Sequence, residues 1–365
     1  MSFALQIEAP TSPAREALRP LLGLSLPLRL ALTAQASGAV AIVTGDEGVR
    51  RALGDARLRI PVVGARPSGV WLTRVPANLV VHRGLFAAAW RARGEGDWPV
   101  LDDPFAFDPP FGFSPVAVSS PSTRRAAARA LLRSLRKPQD GWTSTYLNRH
   151  LSLAVTRVLV ATPLRPNQVS VGILGVGLAG AYLATRGTYG ALLLGALLFQ
   201  AQSVLDGCDG EMSRLTFRGS LAGEWLDTVG DDLTNYGFFA GAAWGLSQAT
   251  ASPLYLGAGA VVVACGLITS AIEYRYLIAI GSGDLLKYPL GVGGAPGGGD
   301  RTALDAISPL FKRDTFVFLT LVSAALGVLS VMLLIFAAAA VGILATVIKA
   351  ELRMARERRE ASRAA

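Results

Sequence analysis

Beyond residue 166 the chain consists largely of apolar runs long enough to cross a bilayer, and no other feature limits its possible folds as much. Within lipid every backbone N–H and C=O must be bonded internally, so a run of about 20 apolar residues is read as a helix. Such runs lie at roughly 167–186, 188–207, 219–247, 252–281, 314–331 and 332–352. Only a tight turn near Gly327 to Ser330 divides the last two, so the count is about six, or five if they join. The predicted fold is an α-helical polytopic membrane domain. Charged residues make up 17% of the chain, with 35 Lys and Arg against 26 Asp and Glu. The basic excess sits beside the apolar runs, which fits positive inner loops and argues against a nucleic-acid partner.

Before residue 140 the apolar runs are short: GAVAIVTGD (38–46), RIPVVG (59–64) and NLVVHRG (78–84). They read as buried strands between helical pieces and Gly/Pro turns, predicting a small soluble α/β domain over 1–139. Near its end Ser120 or Ser119 caps a helix with Pro121 in the first turn, and Lys137-Pro138 stops it. The segment 140–166 mixes apolar residues with Asn148, Arg149, Arg157 and Arg165, predicting an amphipathic helix on the membrane surface. The membrane domain then occupies 167–352 and a charged tail 353–365. Cys208 and Cys265 are the only cysteines and His82 and His150 the only histidines, too few for a Cys/His zinc site.

Orientation follows from the cations. The first residues lack a charged start followed by an apolar core, so no signal peptide is expected and the front domain is placed in the cytoplasm. The inner segments then hold Arg214, Arg218, Lys287, Arg301, Lys312 and Arg313, with Lys349, Arg353, Arg356, Arg358 and Arg359 in the tail. The outer turns hold only Arg186. A bacterial or archaeal inner membrane is the expected location. GVGGAPGGGDRTA (291–303) reads as a flexible loop.

Within this apolar half stands DGCDGEMSRLTFRGSLAGEWLDTVGDD, residues 206–232. A carboxylate inside a membrane is costly and usually functional. Asp206 and Asp209 are three apart at the end of one span, and Asp227 and Asp231 four apart near the start of the next. Those spacings put each pair on one helical face. Two such pairs on adjacent antiparallel helices converge on one pocket, where oxygen-only ligands suit Mg²⁺ or Mn²⁺. Two ions there polarise a phosphate. Gly210 and Gly223 leave room for a nucleotide at the backbone, and Arg214 offers a fork of donors suited to a diphosphate.

The stretch resembles the signature of the CDP-alcohol phosphotransferases: Asp206, Asp209, Gly210, Arg214, Gly223, Asp227 and Asp231, with Ser213 where Ala is usual. On average residue usage a chance match is on the order of one in a million. The resemblance covers roughly 140–352. It implies a six-span homodimeric enzyme with a CDP-alcohol donor and usually Mg²⁺. It assigns metal to Asp206, Asp209 and Asp227, with Asp231 helping to hold the second ion and acting as general base toward the acceptor hydroxyl. Gly210, Arg214 and Gly223 would shape the nucleotide site. The expected donor is CDP-diacylglycerol or CDP-inositol. The expected acceptor is an inositol or glycerol derivative or its phosphate, and CMP is the product. Cys208, Glu224 and Asp232 fall off the motif's faces and read as structural. A membrane scaffold or transporter that keeps the fold without turnover is the rival reading.

Lys312 and Arg313 are candidates for an acceptor phosphate or positive-inside anchors, and Arg275, inside an apolar span, is a candidate for the same phosphate or for a structural partner. The front run RPLLGLSLPLRLALTAQASGAVAIVTGD resembles the start of a sugar-nucleotidyltransferase domain, which some archaeal and bacterial enzymes fuse to this membrane domain. MSFALQIEAPTSPAREAL has no glycine for a phosphate loop, and VPANLVVHRG no Asp for a metal, so the front reads as a degenerate relative. Arg125, Arg129, Arg133 and Arg136 form a basic stripe facing solvent or anionic lipid.

Overall fold

The computed structural model describes residues 3–10, 18–92, 113–136, 141–289 and 313–364. The chain forms two compact units. One comprises Met1–Pro138, Arg157–Pro163 and Glu211–Arg218; the other comprises Gln139–Thr156, Leu164–Gly210 and Gly219–Ala365.

In the first unit, β1 (Phe3–Glu8), β2 (Ala39–Val43), β3 (Val62–Val63) and β4 (Trp71–Pro76) make a parallel sheet in the order β3-β2-β1-β4. Two of the expected apolar runs supply β2 and β3. The third supplies β5 (Leu79–Val80), which pairs antiparallel with β6 (Val116–Ala117). The central β1 carries no comparable signal, because Gln6 interrupts FALQIE; in β4, Thr73 and Arg74 interrupt WLTRVP. Phe3, Leu5 and Ile7 point into one core with Ile42, Val75 and Phe86, while Ala4 packs on the other face with Ala41 and Val43. The alternation along β1 thus fills both faces of the sheet.

The helix α1 (Leu26–Ala36) has Pro27 in its first turn, and Gly38 at φ +91° turns the chain into β2. Leu26 through Ala34 are all buried, as in a helix apolar on every side. Arg29 is the exception in character, with only 4% of its surface exposed. Burial, then the charge of Arg57, pushes its pKa down to about 10, so it is still protonated at neutral pH. Short α2 (Glu47–Ala52) is capped by Asp46, which accepts from the Val49 N–H at 2.8 Å. After α3 (Leu85–Ala92) comes α4 (Pro121–Arg133), capped by Ser120 with Pro121 in its first turn and Thr123 completing the capping box. It ends at Arg133 with Ser134 as C-cap, ahead of the expected stop at Lys137-Pro138, which lies outside the described residues. Arg125, Arg129, Arg133 and Arg136 are exposed.

A π-helical turn (Ser144–Asn148) leads into α5 (Arg149–Leu159). Its amphipathicity is inverted: Arg149, Ser152 and Thr156 are buried, while Leu151 and Val158 are exposed. That suits a helix whose outer side meets lipid. Then follow α6 (Pro166–Ala184), α7 (Tyr189–Thr216), α8 (Leu221–Thr250), α9 (Pro253–Ala279), α10 (Arg313–Ala325) and α11 (Leu329–Ala364), one per predicted run. Among the described residues, α6, α7, α9 and the 329–357 part of α11 are long and apolar enough to cross a membrane. The 30-residue α8 is long enough but more polar, and α10 has 13 described residues. The expected tail at 353–365 is a helical continuation of α11 as far as Ala364. Loop 291–303 lies outside the described residues.

Stacked Phe199 and Phe238, 4.6 Å between centroids, anchor the core of the second unit. Around them α6, α7 and α8 meet through small residues. A methyl group added at Gly180 would lie 2.7 Å from the Gly195 carbonyl oxygen, and one at Gly195 equally close to that of Gly180. At Gly241 and Gly245 it would overlap the carbonyls of Ala181 and Ala184. Membrane helices approach this closely where Gly replaces larger residues.

Candidate active site

The signature occupies the end of α7 and the start of α8. Helix α7 stops because Phe217 takes φ +53°, and the Arg218 N–H bonds back to the Ser213 carbonyl at 3.1 Å, a six-to-one closure. Helix α8 starts at Ser220, whose hydroxyl accepts from the Gly223 N–H at 3.1 Å.

Asp206 and Asp231 share one cation. Nη1 of Arg313, at the start of α10, lies 3.4 Å from Asp206 Oδ2 and 3.0 Å from Asp231 Oδ2. The same guanidinium donates to Gln202 Oε1 at 2.7 Å and to Asn235 Oδ1 at 3.2 Å, and Gln202 donates to Asp231 Oδ1 at 3.3 Å. Asp227 interacts electrostatically with Asp206, Asp231 and Asp209. Asp209 is buried and accepts from the Ser170 hydroxyl of α6. The acids of the two helices are therefore neighbours, and Arg313 interacts electrostatically with Asp231, Asp206, Asp227 and Asp232, so the site is lined by acidic oxygen donors. That character fits a divalent cation with oxygen ligands. Among the described residues no three Asp, Glu, His or Cys side chains are gathered tightly enough to hold one ion. Arg313 instead bridges two of them.

Gly223 is closely covered: a methyl group there would lie 3.0 Å from Asn167 Oδ1. Gly210 and Arg214 continue along α7, with Arg214 in its last turn and within the first unit. Arg313, one of the proposed phosphate holders, sits among the acids. Lys312 lies outside the described residues. Arg275 pairs with Glu351 at 2.6 Å, and Tyr288 donates to the other oxygen of that carboxylate at 3.1 Å. Off the motif's faces, Glu224 accepts from the Gly283 N–H at 3.0 Å, Asp232 accepts from Tyr274 at 2.7 Å, and the Cys208 thiol faces the Ser152 carbonyl at 3.5 Å.

Gln202, Asn235, Ser170 and Asn167 join the site without having been singled out from the sequence. A signal existed for two: Gln202 is four residues before Asp206 and Asn235 four after Asp231, the same helical faces.

No family model matches the chain. It is 35% identical over 124 residues to the bifunctional IPC transferase and DIPP synthase of Thermococcus kodakarensis, covering 34% of this chain and 28% of that protein. The protein of the same name from Rubrobacter xylanophilus is 33% identical over 168 residues, 45% of this chain and 36% of the relative. The chain thus spans about a third of the length of these curated relatives. The Mycobacterium tuberculosis phosphatidylinositol phosphate synthase, solved with CDP-DAG bound, superposes with a TM-score of 0.40 at 20% identity, covering 55% of this chain and 91% of that one.

Proposed function

We propose that this chain is a CDP-alcohol phosphotransferase, which moves the phospho-alcohol group of a CDP-alcohol onto a hydroxyl of a polar acceptor and releases CMP. The donor in this reading is CDP-diacylglycerol or CDP-inositol, and the acceptor a polar alcohol such as inositol phosphate or glycerol phosphate. The names of the relatives, IPC transferase and DIPP synthase, point the same way. The observation that carries the reading is the meeting of the signature acids of α7 and α8, with Asp206 and Asp231 sharing one guanidinium. A scaffold has no need of such a costly set.

Asp206, Asp209, Asp227 and Asp231 would hold Mg²⁺ or Mn²⁺, as two ions, which supply charge neutralisation for the diphosphate and the departing CMP. Arg214 grips the diphosphate, and Gly210 and Gly223 shape the nucleotide site. Asp231 takes the proton of the acceptor hydroxyl while that oxygen attacks the β-phosphorus. One phosphorus–oxygen bond forms to the acceptor and one breaks to CMP. In this reading the site faces the cytoplasm of a bacterial or archaeal inner membrane, and the working unit is a homodimer. Crosslinking in native membranes tests the dimer.

The test of the reaction is CMP release by purified protein in detergent with Mg²⁺. CDP-diacylglycerol and CDP-inositol are offered separately, each with inositol, inositol phosphate or glycerol phosphate. Turnover with one donor names the class of product. Absence of release from both donors, in folded protein, overturns these donors in favour of another CDP-alcohol or a scaffold.

A further inference from the structure

The last turn of α7 ends in backbone carbonyls that no helical N–H can reach. Two arginines of the first unit take them. Arg29 Nη1 donates to the Leu215 carbonyl at 2.8 Å, and Arg57 Nη1 to the Thr216 carbonyl at 2.7 Å. Each arginine is itself held. Nη2 of Arg29 donates to the carbonyls of Leu21 at 2.8 Å and Leu22 at 3.1 Å, in a tight turn where Leu22 has φ +48° and Gly23 φ +80°. Arg57 is gripped by Asp55 through Nε at 2.7 Å and Nη2 at 2.6 Å. The turn is pressed against its neighbours: a methyl group on Gly23 would lie 3.0 Å from the Val160 carbonyl oxygen and 3.4 Å from Thr216 Cγ2. A positive charge at a helix C-terminus is also favoured by the helix dipole.

We infer that Arg29 and Arg57 form a clamp that fixes the end of α7 and so positions Arg214. They are positioning residues for the donor diphosphate and do not touch it. Arg214 immediately precedes Leu215 and shares its helical turn, so fraying of that turn moves the guanidinium directly. Asp206, Asp209 and Gly210 lie farther up the helix and are held from other directions, as the bond from Ser170 to Asp209 illustrates. The clamp therefore acts on donor binding more than on the chemical step. It gives the front unit a role that needs no nucleotide chemistry of its own. This inference rests on the proposed transfer reaction only through Arg214.

Arg57 is the better handle, because its side chain is 20% exposed and sits at the rim, whereas removing Arg29 disturbs a core. The variants are Arg57→Gln, Arg57→Lys and Asp55→Asn in the full-length protein. Hydrogen exchange of the 213–218 amides reads the clamp directly and does not depend on any activity. Exchange should quicken about tenfold in Arg57→Gln, less in Asp55→Asn, and return toward wild type in Arg57→Lys. In the CMP-release assay the KM for the donor should rise by about the same factor at nearly unchanged kcat, the mark of lost uniform binding. Unchanged exchange in Arg57→Gln overturns the clamp, whatever the assay gives. Faster exchange with an unmoved donor KM overturns the positioning role. If wild-type protein releases no CMP, faster exchange still upholds the clamp, while the link to Arg214 fails with the reaction.

Discussion

Arg29, buried in the first compact unit, and Arg313, partly buried in the second, are held in opposite ways. Arg29 donates to three backbone carbonyls, neutral acceptors whose positions are set by helix and turn geometry. Arg313 faces the carboxylates of Asp206 and Asp231, with the amide oxygens of Gln202 and Asn235 beside them. Carbonyls attract a guanidinium only by dipole and leave its charge uncompensated, so the first arrangement is a fastener. Carboxylates attract a cation by its charge, so in the proposed reading the second is a counter-charge that a divalent ion would replace. The difference teaches that a buried arginine is read from its acceptors, and four predictions press on it.

The largest effect belongs to the acids. Asp231→Asn should lower CMP release by about a thousandfold, within the usual range for loss of a general base, while circular dichroism stays that of the wild type. Near-normal turnover would dissociate the acidic group from the chemistry. Next, Arg29→Met leaves buried carbonyls unpaired and should destabilise the first unit by about 2–4 kcal/mol, seen as an earlier denaturant midpoint. A neutral result would mean that water replaces the guanidinium there.

Third, Arg313→Gln should lower the melting temperature in chelator, since Asp206 and Asp231 then lack their shared cation, by about 1–2 kcal/mol at the midpoint. Saturating Mg²⁺ should close most of that gap, because a divalent ion can take the guanidinium's place. If Mg²⁺ leaves the gap open, Arg313 is a fastener like Arg29 and the contrast collapses. The smallest effect concerns Asp55. The hydrogen bond from Arg57 holds its carboxyl down to about 2 from an ordinary 3.8. A carboxylate lowered on folding contributes stability above its unfolded pKa and loses it as pH falls through the folded value. Protection of the 213–218 amides should therefore be constant above pH 4 and weaken between about 4 and 2.

The sequence makes some of this legible for plain reasons. Helices α6, α7, α9 and α11 are readable because a bilayer demands length and apolarity, and the acids because their spacing follows helical faces. The parallel core strand β1 is not, since its burial comes from neighbours that Gln6 does not advertise. Arg29 is silent for a stronger reason: its acceptor at Leu215 is a backbone carbonyl 186 residues away, and every residue has one. Arg313 shows as a cation at a span end, a position shared by anchors, and only the fold reveals which carboxylates it meets.

The seam at Gly180, Gly195, Gly241 and Gly245 has a mechanical consequence. Where backbone rests on backbone there are no rotamers to yield, so α6, α7 and α8 behave as one stiff spar. Compliance is left to contacts made by long side chains, such as the groove of about 470 Å³ lined by Ile268, Ile272, Ile348 and Leu352 between α9 and α11. A bilayer that thickens or thins around this protein will find that side giving way first, while the acid-bearing helices keep their spacing.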